Sequence, residues 1–154
     1  MPETHLHIIS FDVPWPPNYG GVIDIFYKIR ALHARGVKVH LHCFHYGREA
    51  TQELEELCYR IHLYPRMTGW KSALSLKPFI VMSRHSTLLI QNLLRDNYPI
   101  LFEAIHSCYY LNDKRLSDRF RIYRESNIEH HYYFYLFKAE HLLFKKLYFL
   151  KRQS

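Results

Sequence analysis

Four groups of residues in this 154-residue chain have the types and spacing to do chemistry. The first is the pair Gly20-Gly21, which ends the stretch PWPPNYGG and opens an amphipathic run. Bare backbone at a helix start offers N–H groups, backed by the helix dipole, to a phosphate. The bland alternative for such a pair is a structural turn. The second is His106, at the end of the apolar run ILFEAI and close in sequence to Glu103. A histidine there is placed to act as a general base or to bind a sugar hydroxyl, or else to be a hydrogen-bonded loop residue. The third is ESNIEHH, Glu125–His131, where Arg124, Asn127, Glu129 and His130 sit at a turn into a helix. These can contact a ligand, and Asn127 can equally cap the helix. The fourth is HYGRE, His45–Glu49, which follows a strand-like run.

Metal chemistry is the natural question for a chain with 12 histidines. His40 and His42 lie on one side of an alternating run, with His45 near, but no third or fourth ligand is evident. A strand with one wet face accounts for them, so no metal site is expected. HExxH, GxSxG, GxGxxG and Walker sequences are absent, and no cofactor is implied. The three cysteines, Cys43, Cys58 and Cys108, form no CxxC pair and leave an odd number, which favours a reduced, cytoplasmic protein.

The elements that must position these groups follow from periodicity. LHIISF (Leu6–Phe11) is rich in β-branched residues and predicts a buried strand. Val22, Ile25, Phe26, Ile29 and Leu32 have helical spacing, and Gly36 provides the stop. VKVHLHCF (Val37–Phe44) alternates strictly and predicts a second strand. Strand, Gly-rich turn, helix and strand make a βαβ unit with a parallel pair.

The alternation continues with an acidic helix (Glu49–Cys58) and a strand (Arg60–Tyr64). A less regular segment runs from Pro65 to about Ser86. A helix over Ser86–Asn97 is capped by Ser86 or Thr87. Tyr98–Ser107 carries a buried strand ending near His106, and Arg119–Arg124 a last strand. A long helix is expected from about Glu129 to the end, with Lys138, Lys145 and Arg152 on one face. That face suits either solvent or an anionic membrane surface. The fold class expected is α/β, a Rossmann-like three-layer sandwich with a mainly parallel sheet. Ligands in such sheets bind beyond the carboxyl ends of the strands, where all four groups fall.

A net charge of +7 favours anionic partners such as phosphate-bearing ligands or acidic headgroups. Nucleic acid is not expected, since no helix-turn-helix, RRM or zinc pattern occurs. No apolar run reaches the roughly 18 residues of a membrane span.

Together, FDVPWPPNYGGVIDIFYKIRALHARGVKVHLHCF, YPILFEAIHSCYYL and RESNIEHHYYFYLFKAEHLLFKKLYFL resemble the family 4-like N-terminal domain of retaining GT-B glycosyltransferases. The resemblance covers nearly the whole chain in order, although Ser126 stands where a bacterial subgroup has histidine. It implies that Gly20 and Gly21 approach the diphosphate of a nucleotide-sugar donor and that His106 is catalytic, near the reacting sugar. It also implies that Arg124, Asn127, Glu129 and His130 line the side of a glycan or lipid-linked acceptor. On this reading residues 1–154 are one acceptor-side domain, and the C-terminal donor-binding domain is missing. The helical pattern running almost to Ser154 fits a chain cut short. Such a half is expected to be inactive alone, cytoplasmic, and in peripheral contact with the inner face of the membrane. The alternative is a non-catalytic α/β phosphate- or nucleotide-binding module.

Overall fold

The computed structural model describes residues 3–67 and 79–125. The fold is that of the unit Met1–Arg124; Glu125–Ser154 is a separate unit, outside the described residues from Ser126 onward. Five strands form one sheet: β1 (His5–Ser10), β2 (Lys38–His45), β3 (Arg60–Pro65), β4 (Ile100–Glu103) and β5 (Arg121–Arg124). Their order is β3-β2-β1-β4-β5, and every pairing is parallel. The chain therefore builds outward from β1 in one direction, then crosses back to place β4 on the other side. This is the α/β, Rossmann-like arrangement expected from the alternating elements.

Helix α1 (Gly20–Ala34) buries Val22, Ile25, Phe26 and Ile29, the stripe visible in its spacing. With α2 (Gln52–Leu57), it covers one sheet face, where Ile8, Val39, Leu41, Cys43 and Leu101 pack with Leu54. The opposite face carries Ile9, Phe44, Tyr64, Ile100 and Phe102 against Leu89, Ile90 and Leu93 of α4 (Thr87–Leu93). A short helix α3 (Phe79–Met82) precedes α4. Burying one such Leu or Ile side chain contributes about 1.5–3 kcal/mol, so both faces hold the sheet.

Three expectations are corrected. The outward-pointing side of β2 is not wet: His40 is 7% exposed and His42 fully buried. A central parallel strand has covering layers on both faces, so strict alternation here separates two interiors rather than inside from outside. The fourth strand closes at Glu103, not near His106. Ala104 takes φ 59° and ψ 164°, which breaks the strand and starts a 3-10 turn over Ile105–Tyr110. The helix expected over Ser86–Asn97 closes at Leu93, with Ser86 as N-cap residue but making no side-chain capping bond.

Candidate functional site

The strand order reverses between β1 and β4, and the loops that follow their carboxyl ends flank this switch point. The β1 loop carries Phe11 to Tyr19, and the β4 turn carries Ala104 to Tyr110. Across the switch point the Phe11 and His106 rings lie 5.3 Å apart at 39°. His106 thus sits at the switch point, on a 3-10 turn rather than on a strand.

Gly20 and Gly21 form the first residues of α1, as their sequence position suggests. Their bareness serves two purposes. A Cβ on Gly20 would meet nothing within 4 Å, whereas one on Gly21 would stand 2.7 Å from Cζ of Phe11. Gly21 therefore makes room for the Phe11 ring, and Gly20 leaves backbone open at the helix start. The N-cap residue Tyr19 supplies no side-chain cap, and no acidic side chain lies in the first turn. The positive end of the helix dipole is thus not offset by a capping side chain or a first-turn carboxylate.

The β1 loop is held by a residue of HYGRE to which the sequence assigned no role of its own. Arg48 donates through Nη1 to the carbonyls of Trp15 and Pro16, each at 3.0 Å, and through Nη2 to Oδ1 of Asn18 at 2.5 Å. It also pairs with Asp12 at 3.7 Å and lies 4.9 Å from the centre of the Tyr19 ring. The Tyr19 hydroxyl donates to Asp12 at 3.0 Å, and burial together with that carboxylate pushes its pKa up to about 12. The Trp15–Pro16 peptide within this loop is cis. On its inner side Arg84 donates from Nε to the Phe11 carbonyl at 2.9 Å. The signal for Arg48 was its place in HYGRE, after β2, but nothing local says that it reaches back over thirty residues.

Beside the switch point lies a charged cluster. Glu103, at the end of β4, is 1% exposed and pairs with Lys28 of α1 and, at 3.2 Å, with Arg124. Arg124 also pairs with Asp24 of α1. A carboxylate this buried is tolerated only because two cations meet it. Glu103 is turned towards α1, while His106 meets Phe11. Of the residues expected to line an acceptor, Arg124 is placed in this cluster; Asn127, Glu129 and His130 lie outside the described residues. Among the described residues no three His, Cys, Asp or Glu side chains converge as a metal site. None of the helices described is long and apolar enough to cross a membrane.

A five-stranded, all-parallel sheet with helices packed on both faces defines an α/β domain of Rossmann-like arrangement. Over 150 residues the chain is 30% identical to an "Uncharacterized 44.6 kDa protein in cps region" of Klebsiella pneumoniae. That similarity takes in 92% of this chain but only 38% of the relative, so the chain spans well under half its length. No family profile and no solved structure matches the chain.

Proposed function

We propose that this chain is the acceptor-side half of a glycosyltransferase that builds a surface polysaccharide, taking its sugar from a nucleotide-sugar donor. The observation carrying this reading is the arrangement at the β1/β4 switch point. It combines an uncapped helix start at Gly20, a histidine facing Phe11 and a loop braced by Arg48. A phosphate needs the first, and a sugar hydroxyl or the proton it loses needs the second. The likeness to a protein of a cps (capsule) region supports a polysaccharide context. The relative's greater length leaves room for a donor-binding half.

In this reading a donor diphosphate reaches Gly20, and His106 contacts the reacting sugar or acceptor. Arg124, with Asn127, Glu129 and His130 following it in sequence, borders the acceptor. The partners proposed are thus the donor and a glycan or lipid-linked acceptor, with contact at an anionic membrane surface. The test is amide NMR of the 154-residue chain titrated with a polyprenyl diphosphate-linked sugar in detergent and, separately, with UDP- and GDP-sugars. Shifts centred on Phe11, Gly20 and His106, and lost in His106→Ala, are expected with little or no sugar transfer. No shift at these residues with any of these ligands at millimolar concentration would overturn the reading. Efficient transfer by this chain alone would overturn the assignment of a missing half.

A further inference from the structure

The α4 face of the sheet hides a polar chain that the proposed site does not use. It runs across β1, β2 and β3, from His7 to Tyr64. Nε2 of His7 lies 2.9 Å from Oδ1 of Asp96, and Nδ1 of His7 lies 2.8 Å from Nε2 of His42. Nδ1 of His42 lies 2.8 Å from the Tyr64 hydroxyl, which accepts from Nδ2 of Asn92 at 2.9 Å. Asn92 Nδ2 also lies 3.4 Å from Nδ1 of His62. His7 and His42 are 2% and 0% exposed.

Each proton in this chain has one place to be. Asp96 Oδ1 accepts from Arg119 at 3.2 Å and from the Tyr98 amide at 3.1 Å, so this oxygen is an acceptor. His7 must then donate to it from Nε2. That leaves His7 Nδ1 as an acceptor, so His42 donates from Nε2 and accepts at Nδ1. The Tyr64 hydroxyl donates to His42, and its lone pair receives Asn92. Both histidines are neutral and carry their hydrogen on Nε2. Every bond points from α4 towards Asp96.

We propose that this chain is a pH-sensitive latch between the sheet and α4, opened when one proton enters the His7–His42 pair. An added proton makes one of the two rings an imidazolium, with both its nitrogens donating. The proton settles towards Tyr64, since His7 already donates to Asp96. His42 Nδ1–H then needs the Tyr64 lone pair, and the Tyr64 O–H must turn to the side that Asn92 occupies. Two donors now face each other, so the Asn92 amide turns over or leaves, and its contact with His62 goes with it. Asn92 is the α4 residue in this chain, so the loss falls on the helix-to-sheet tie. No bond other than N–H and O–H bonds is made or broken.

The groups facing the pair reinforce the neutral state. His40 of β2, His62 of β3 and Arg119 before β5 act on the pair itself, while His5, Arg60 and Arg95 act on its neighbours His40 and His62. Among the described residues only Asp96 opposes them. Burial and these neighbours hold His7 and His42 below the ordinary histidine value.

The test uses the full 154-residue chain labelled with 15N histidine. At pH 7, long-range 1H–15N spectra should give both His7 and His42 as Nε2–H tautomers. On acidification towards pH 5 the Asn92 side-chain amide and the α4 amides should lose exchange protection before those of α1. Asn92→Asp is the second arm, because a carboxylate there accepts the turned Tyr64 hydroxyl. It should place a hydrogen on His42 Nδ1 at pH 7 and bind the extra proton at least tenfold more tightly. A Nδ1–H tautomer for either ring in the natural chain would overturn the proposal. So would His42 keeping a bare Nδ1 in a folded Asn92→Asp variant, or α4 opening no sooner than α1.

Discussion

Ala104 carries the one positive φ among the described non-glycine residues, and it does so between β4 and His106. With ψ near 164° this is backbone that glycine tolerates and alanine does not favour, at a cost of about 1–3 kcal/mol. The strain turns the chain sharply enough for His106 to face Phe11. Ala104→Gly should therefore leave the protein as stable or up to ~1 kcal/mol more so, since relief of strain exceeds glycine's extra unfolded-state freedom. Ala104→Val should lose about 2 kcal/mol or more, because a β-branched side chain is worse at positive φ and the site is 3% exposed. Urea midpoints of the three proteins decide it. The glycine pair separates in the same way. Gly21→Ala should lose roughly 1–3 kcal/mol by pushing into the Phe11 ring, while Gly20→Ala should stay within about 0.5 kcal/mol of the natural chain. A similar loss for both would contradict the division of labour drawn for them.

At the scale of elements, the loop between β1 and α1 is fixed by a residue after β2. Its prolines limit the path, but Arg48 closes it by donating to the Trp15 and Pro16 carbonyls, which lie outside helix and strand. Arg48→Ala should cost about 1–2 kcal/mol and raise amide exchange mainly over residues 12–21. Arg48→Lys should recover little of this, since an ammonium cannot reproduce the planar fork. Exchange rising equally across α2 and β3 would show that Arg48 acts on the fold at large. Much of the element plan was legible beforehand. The apolar stripe of α1, the alternation of β2 and the strand run of β1 each bury enough surface to impose their own period. The end of β4 was not legible, because its apolar run continues past Glu103 and nothing in ILFEAIH marks Ala104 as the break.

At the scale of the whole molecule, the buried histidines tie folding to pH. His7, His40, His42 and His62 all lie below the ordinary value of 6.5, chiefly through burial, and His40 is lowered to about 4. The folded chain then binds fewer protons than the unfolded one between pH 6.5 and about 4. Stability from these groups is complete above pH 6.5 and is lost as pH falls through that window. Each fully linked proton changes stability by about 1.4 kcal/mol per pH unit. Thermal unfolding should show Tm level above pH 7 and falling steeply below 6.5, with more than one proton taken up on unfolding. A Tm unchanged down to pH 5 would contradict the burial of these rings in solution. The thiols give a companion check. Burial raises Cys43 well above its usual range and Cys58 to about 12, so both should resist alkylation at pH 8 until the chain unfolds.

Local pattern alone determined the α/β class, the βαβ opening and the placing of Gly20, Gly21 and His106 near one edge of a sheet. It could do so because periodicity and glycine position act over a few residues, and a parallel crossover puts successive strand ends on the same side. Tertiary structure alone decided where each polar group's partner lies. Arg48 reaches Trp15, Glu103 meets Lys28, and His7 finds Asp96 eighty-nine positions away. Alternation in β2 could separate His40 and His42 from Val39 and Leu41, yet it could not say whether their side met water. That depended on β2 lying second in the sheet, with α4 and the rings of its neighbours closing over it. Burial is a property of the assembled layers, and the chemistry of a histidine follows from its burial.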